Sequence, residues 1–221
     1  MNDFDREAAA YDRWYDEHRA AYLSELRAVR AALPRRAAGV EIGAGTGRFA
    51  AALGIKTAVE PSAAMAALAR ARGIKVRAAR AEKLPFRDGA FGFALLVASL
   101  CFVGRPRAAL KEARRVIRPG GRLVVAILDG DSPAGKEYWR RRAGRPFYRA
   151  ARVLGAARVR ALLEELGFTG IRTCQTLFSR PEAIARPEPV RAGHGEGLFA
   201  VISGTRPGPV RRAPSAGRRS K

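Results

Sequence analysis

An α/β domain with a mostly parallel sheet is the fold class this sequence predicts, and three observations predict it. Short apolar runs alternate with helical stretches from residue 39 to residue 128. The first of those runs turns through closely spaced glycines straight into a helical stretch. Two β-rich runs, 171–178 and 197–203, close the chain and are joined by a linker holding Pro181, Pro187, Pro189, Gly193 and Gly195, which suits antiparallel pairing through a long loop. With 221 residues and 48% apolar composition, the chain buries the core of one such domain.

The elements follow in order. Residues 4–33 have helical periodicity, with Phe4, Ala8, Tyr11, Tyr15, Tyr22, Leu26, Val29 and Leu33 recurring at threes, fours and sevens until Pro34 stops the run. Trp14 and His18 widen its aromatic side. One or two amphipathic helices result, and they read equally as packing over the sheet and as a lid beside the glycine turn. Strands are expected at 40–42, 57–59, 74–78, 91–97 and 121–128. Helices are expected at 46–53, at 62–72 with Ser62 as cap and Gly73 as stop, and at 106–117. Two more helical patterns, 136–148 and 159–166, precede the late β-runs. Sheets of this kind hold ligands at the carboxyl ends of their strands.

Charge is the composition's loudest signal, and its make-up argues against a dedicated nucleic-acid binder. The formal net charge is +22, but only six of the 42 basic residues are lysine, an arginine excess of the kind GC-rich coding produces. Six basic residues and no acid lie in 206–221, a Pro/Gly/Ser-containing tail read as solvated, through which alone nucleic acid is a candidate partner. The longest apolar run, 91–103, is too short to span a bilayer, and the acidic N-terminus lacks the apolar core of a signal peptide. Cys101 and Cys174 sit in apolar segments with neither disulfide-framework nor metal-ligand spacing, so a cytoplasmic location and no metal are expected.

The candidate site begins at Val40-Glu41-Ile42-Gly43-Ala44-Gly45-Thr46-Gly47. Gly43, Gly45 and Gly47 free the backbone of Cβ where a strand must turn sharply and let a ligand approach. Glu60 ends the next apolar run, and an acid there suits a ribose diol, because a carboxylate accepts from both hydroxyls. The spacing is G-x-G-x-G rather than the dinucleotide G-x-G-x-x-G, which weakens a dehydrogenase reading.

Taken with Val59-Glu60-Pro61-Ser62 and Met65, Ala81-Glu82-Lys83-Leu84-Pro85-Phe86, and Arg118-Pro119-Gly120-Gly121-Arg122-Leu123, the chain resembles class I S-adenosylmethionine-dependent methyltransferases of the small-molecule type over residues 4–204. Ala10-Tyr11-Asp12-Arg13-Trp14-Tyr15 looks like that family's tyrosine-containing cover. The resemblance implies a Rossmann-like seven-stranded sheet ending in a reversed hairpin, with a helical cover over 1–38, a core over 39–204 and a basic tail over 205–221. It also implies roles by position. Glu41, Gly43 and Gly45 would line the methionine part of S-adenosyl-L-methionine, with Tyr11 and Ala44 beside them, and Glu60 would hold the ribose. Pro61, Ser62 and Met65 would flank the adenine, Ala81 and Glu82 would close its other side, and Ala98, Ser99 and Leu100 would lie beneath the sulfonium. Met65 reads equally as core, Glu60 also as a solvated strand end, and Glu82 also as a surface acid.

Two positions depart from the family's pattern: Arg80 stands where many relatives carry an adenine-binding aspartate, and Gly92 where an aspartate opens the fourth strand. The expected activity is methyl transfer to a small-molecule acceptor, in a monomer or homodimer. Trp14, Tyr15, Cys101, Phe147 and Tyr148 are the acceptor-pocket candidates. Ser99-Leu100-Cys101-Phe102 stands where base-flipping amino methyltransferases place an Asp/Asn-Pro-Pro-Tyr/Phe run, which argues against that chemistry. An RNA or protein methyltransferase recruited by arginine, and a non-catalytic cofactor-binding scaffold, are the alternatives.

Overall fold

The computed structural model describes residues 3–141 and 151–208. Phe147, Tyr148, the end of the expected 136–148 helix and the chain beyond residue 208 lie outside the described residues. The N-terminal periodic stretch is two helices, α1 (Asp3–Glu17) and α2 (Arg19–Ala32). They meet at His18, whose Nδ1 bonds the Trp14 carbonyl at 2.9 Å while its ring stacks on Trp14. The chain then alternates through β1 (Gly39–Ile42), α3 (Arg48–Leu53), β2 (Thr57–Val59), α4 (Ala63–Ala71), β3 (Lys75–Arg77), β4 (Phe91–Val97), α5 (Pro106–Val116) and β5 (Ile117–Leu128). It ends with α6 (Pro133–Arg140), α7 (Ala156–Glu165), β6 (Thr169–Thr176), β7 (Arg191–Ala192) and β8 (Phe199–Thr205).

The strands form one sheet in the order β3-β2-β1-β4-β5-β8-β6-β7. The first five are parallel; β8 runs antiparallel to β5 from Arg122↔Thr205 to Leu128↔Phe199, and β6 runs antiparallel to β8. The reversed late pair is therefore present. An eighth strand joins the expected seven: the two-residue β7, which pairs with Cys174 and Gln175 at the sheet edge.

Burial on both faces explains why β4 reads as an unbroken apolar run. Phe93, Leu95 and Val97 point into the core beneath α2, α3 and α6, while Ala94 and Leu96 point into the core beneath α5 and α7. Gly92 has a packing reason rather than a polar one, since a Cβ there would lie 2.6 Å from Ala37 Cβ. α7 begins three residues earlier than its periodicity suggests. Its Ala156 N–H donates to Asp129 Oδ1 at 2.9 Å, a cap supplied from 27 residues away. Among the described residues, no helix is long and apolar enough to cross a membrane.

The helix α1 is tied down by charge. Asp12 accepts from Arg48 Nε and Nη2, both at 2.9 Å, and from Arg72 Nη2 at 2.7 Å, and Asp16 takes the remaining face of Arg48. Burial would raise the Asp12 carboxyl, but the hydrogen bonds from Arg48 and Arg72 outweigh it and hold it at about 2. Asp12→Asn is expected to lower Tm by about 3–6 °C at neutral pH, a loss of about 1–2 kcal/mol, read by scanning calorimetry. The stabilisation from a depressed carboxyl is full above its unfolded value and fades through its folded one. The gap between variant and wild type should therefore close as pH falls from about 4 toward about 2.

Candidate active site

At the carboxyl end of β1 the backbone leaves the sheet through three left-handed glycines, Gly43 (φ +71°), Gly45 (φ +54°) and Gly47 (φ +80°), before entering α3. The space is closed to a side chain at Gly43, where a Cβ would lie 2.7 Å from Ser99 Cβ. Gly43 N and Ala44 N both donate to the Val59 carbonyl, which locks the turn to the end of β2. Across the turn, Ser99 Oγ donates to the Ile42 carbonyl at 3.0 Å. Ala98 is held at φ +46°, a strained position for a residue with a Cβ, where β4 leaves the sheet.

Glu60 completes this frame. Its Oε2 accepts from Gly45 N at 2.8 Å and its Oε1 from Ser62 N at 2.9 Å, so the carboxylate stands with a fixed orientation and spare lone pairs. Burial raises its pKa, against the lowering effect of those two N–H groups. Ser62 caps α4 by accepting from Met65 N at 3.3 Å, and its hydroxyl donates to Asp5 of α1 at 2.6 Å. The first turn of the cover is thus bonded to the rim of the site.

These elements surround a cavity of about 330 Å3, within the range of small-ligand pockets. Gly43, Gly45, Glu60, Pro61, Ser62 and Met65 line it from the turn and from the start of α4. Ala81 and Glu82 line it from the segment after β3, Ala98 and Ser99 from the end of β4, and Tyr11 from α1. Arg80 also lines it; the side chain is 73% exposed and lies 3.7 Å from Glu82. Glu82 Oε1 accepts from Arg105 N at 3.3 Å, which fastens this segment to the start of α5.

Three residues expected beside the cofactor do not line the cavity. Leu100 is fully buried in the core, Ala44 packs against the core, and Glu41 points into the interior, 1% exposed. The Glu41 Oε2 atom is buried without a hydrogen-bond partner. Burial pushes its carboxyl up to about 8. Among the acceptor-pocket candidates, Trp14 stacks on His18, and Tyr15 lies in a buried aromatic cluster with Tyr22 and Phe49. Cys101 is buried, its thiol donates to the Ala98 carbonyl at 3.2 Å, and burial pushes it up to about 12, so it stays a thiol. None of these three lines the cavity.

Ile42 of the glycine-turn stretch also lines the cavity, and the structure adds residues to which the sequence gave no role at the site: Phe4, Ala79, Val97, Phe102 and Val103. Phe4 and Phe102 meet edge to face at 4.8 Å and join the cover to the turn after β4. Phe4 was visible as the first apolar position of the aromatic helix. Phe102 carried no such signal, because its partner lies 98 residues upstream.

A model described as a methyltransferase domain matches residues 40–125, the stretch from β1 into β5. A Thermotoga maritima structure named as an S-adenosylmethionine-dependent methyltransferase and possible histamine N-methyltransferase is 47% identical. It has a TM-score of 0.89, with 92% of this chain and 98% of that one covered. An uncharacterised protein of Methanocaldococcus jannaschii is 42% identical over 92% of this chain and 98% of its own length. A ubiquinone/menaquinone biosynthesis C-methyltransferase of Rubrivivax gelatinosus is 34% identical over 66% of this chain and 58% of its own length. The left-handed glycine turn and the clamped acid at the tip of β2 lie within residues 40–125, and the chain belongs to the class I methyltransferases, whose cofactor is S-adenosylmethionine.

Proposed function

We propose that this enzyme methylates a small-molecule acceptor, and the observation that carries the reading is the carboxylate of Glu60, held by Gly45 N–H and Ser62 N–H at the mouth of the glycine turn. A carboxylate with both oxygens oriented and lone pairs free suits the two hydroxyls of the cofactor ribose. Gly43 and Gly45 line the cavity, so the methionine part of the cofactor can approach main chain there. Pro61, Met65 and Ala81 supply apolar contact for the adenine. The bound cofactor supplies a methyl group already activated on a sulfonium.

What remains for the protein is to orient the acceptor, exclude water and accept or hold protons. Tyr11 covers the cavity from α1, and its phenol, bonded to Tyr15 at 2.7 Å, stays neutral because burial raises it far above its ordinary value. The cover formed by α1, with Phe4 and Tyr11 on the cavity, favours an acceptor that fits beneath it over a polymer. The free thiols of Cys101 and Cys174 support a reducing, cytoplasmic location.

Calorimetric titration with S-adenosylhomocysteine tests the cofactor site. One-to-one binding in the micromolar range is expected; a folded protein that binds nothing at millimolar ligand overturns the assignment of these residues.

A further inference from the structure

A second cavity, of about 170 Å3, shares no lining residue with the cofactor cavity. It lies between α6 and the turn that follows β6, beside Leu198 at the start of β8. Leu128, Phe199 and Thr176 stand in register across β5, β8 and β6, so all three elements meet at the edge of the sheet where β5 ends. About 150 Å3 of dry cavity admits one benzene ring, which sets the size of what this one can hold.

Its walls are set before any ligand arrives. Leu177, fully buried, is held at φ +61°, a strained position for a residue with a Cβ, and its carbonyl accepts from Leu198 N at 2.8 Å. Glu188 accepts from the next two backbone N–H groups, those of Phe178 and Ser179, while its own N–H donates to Ser24 Oγ of α2 at 2.9 Å. Trp139 Nε1 donates to the Leu128 carbonyl at 3.2 Å and fastens α6 to the end of β5. Tyr138, Phe178 and Leu198, placed by these bonds, give the cavity an apolar and largely aromatic wall.

Charge gives the rim its chemistry. Arg140, Arg141 and Arg180 converge on the Glu137 carboxylate, the last two on Oε1 at 2.7 and 3.1 Å. Three guanidiniums on one carboxylate leave two positive charges, and Glu182, the other acid on the cavity, reduces them to one. Arg141 and Arg180 both line the cavity, and each meets Glu137 through Nη2. A guanidinium carries five N–H donors, so both keep donors for a second carboxylate. An occupant therefore needs one ring against Tyr138 and Phe178 and one negative charge between two guanidiniums.

We propose that this cavity is a second ligand site and that it takes a small aromatic monocarboxylate, its ring against Tyr138, Phe178 and Leu198 and its carboxylate between Arg141 and Arg180. The single net charge of the rim matches a carboxylate better than a dianionic phosphate, and the volume excludes a peptide or a nucleotide. The site goes beyond the methyl-transfer reading and does not depend on it.

The test titrates the full chain with 4-fluorobenzoate and 4-fluorobenzamide, followed by fluorine NMR, with acetate as a competitor that lacks the ring. The benzoate should bind about tenfold or more tightly than the benzamide, the contrast between a charged and a neutral partner for two guanidiniums. Acetate should displace it only at concentrations about tenfold or more higher, because the ring is buried. Saturation with S-adenosylhomocysteine should leave the benzoate affinity within about twofold, since the two cavities share no residue. Arg180→Gln, which replaces a half-exposed side chain, should lower that affinity about tenfold at unchanged Tm. Equal binding of benzoate and benzamide overturns the proposal, as does displacement by acetate at equal concentration. An affinity unchanged in Arg180→Gln overturns it too, because a chain of charge +22 then holds the anion elsewhere. Should Arg180→Gln not fold, Arg141→Gln takes its place, and an unchanged affinity there counts equally. Loss of benzoate binding on saturation with S-adenosylhomocysteine means that both ligands occupy one cavity and also overturns the proposal. Benzoate binding without S-adenosylhomocysteine binding overturns the cofactor assignment alone and leaves this site standing.

Discussion

Glu60→Ala is expected to weaken S-adenosylhomocysteine binding by about two orders of magnitude or more while the protein remains folded. Each Glu60 oxygen already holds one backbone N–H, from Gly45 and from Ser62, so the carboxylate is oriented before any ligand arrives. Two hydrogen bonds from ribose hydroxyls to an ionised acceptor contribute about 3 kcal/mol or more, and alanine removes both. It also leaves the Gly45 and Ser62 N–H groups without their acceptor, so the turn loses its set as well as its ligand. Glu60→Gln separates these effects. One amide oxygen can still accept from one of the two N–H groups, but its NH2 opposes the other, so affinity should fall with less disturbance of Tm. Calorimetry reads the affinity and scanning calorimetry the fold. Retention of affinity within threefold in both variants would show that the ribose lies elsewhere.

Much of this site was legible because its residues are local in sequence. The glycine turn, the acid at the tip of β2 and the Ser62 cap each lie within a few residues of the element they shape, and the structure places them accordingly. The β4 run is legible for the same reason, since burial on both faces leaves a sequence no room for alternation. What was hidden depends on distant partners. The start of α7 is fixed by Asp129, the glycine at position 92 by Ala37, and the Asp5 bond to Ser62 by a neighbour 57 residues away. Tyr15 reads in sequence as one more aromatic of a lid, but its ring is packed against Tyr22 and Phe49, which no spacing announces. Glu25, buried on α2, did leave a trace: it lies on the same face as the buried Ala21, Ala28 and Val29, an acid on an apolar stripe.

The same buried acids set the second large effect, a stability that falls as pH rises. Glu25 and Glu41 are each displaced by burial from an ordinary 4.5 to about 8. Between those values the folded state holds protons that the unfolded chain releases, so stability declines across the window and the loss is complete above about 8. The cost per group is on the order of a few kcal/mol at pH 8. Part of the raw Tm profile will instead reflect self-repulsion in a chain of net charge +22, which grows as pH falls. Comparison with Glu41→Gln isolates the acid, because that background is common to both proteins. Wild type should lose stability relative to the variant from pH 5 to pH 8, by about 5–10 °C in Tm. Glu41 does not line the cavity, so S-adenosylhomocysteine affinity should stay level across this window in both proteins. A parallel Tm difference at all pH values would mean that Glu41 is ionised and paired in the folded protein. A falling Tm beside a level affinity identifies an acid whose burial costs the fold stability without touching the ligand.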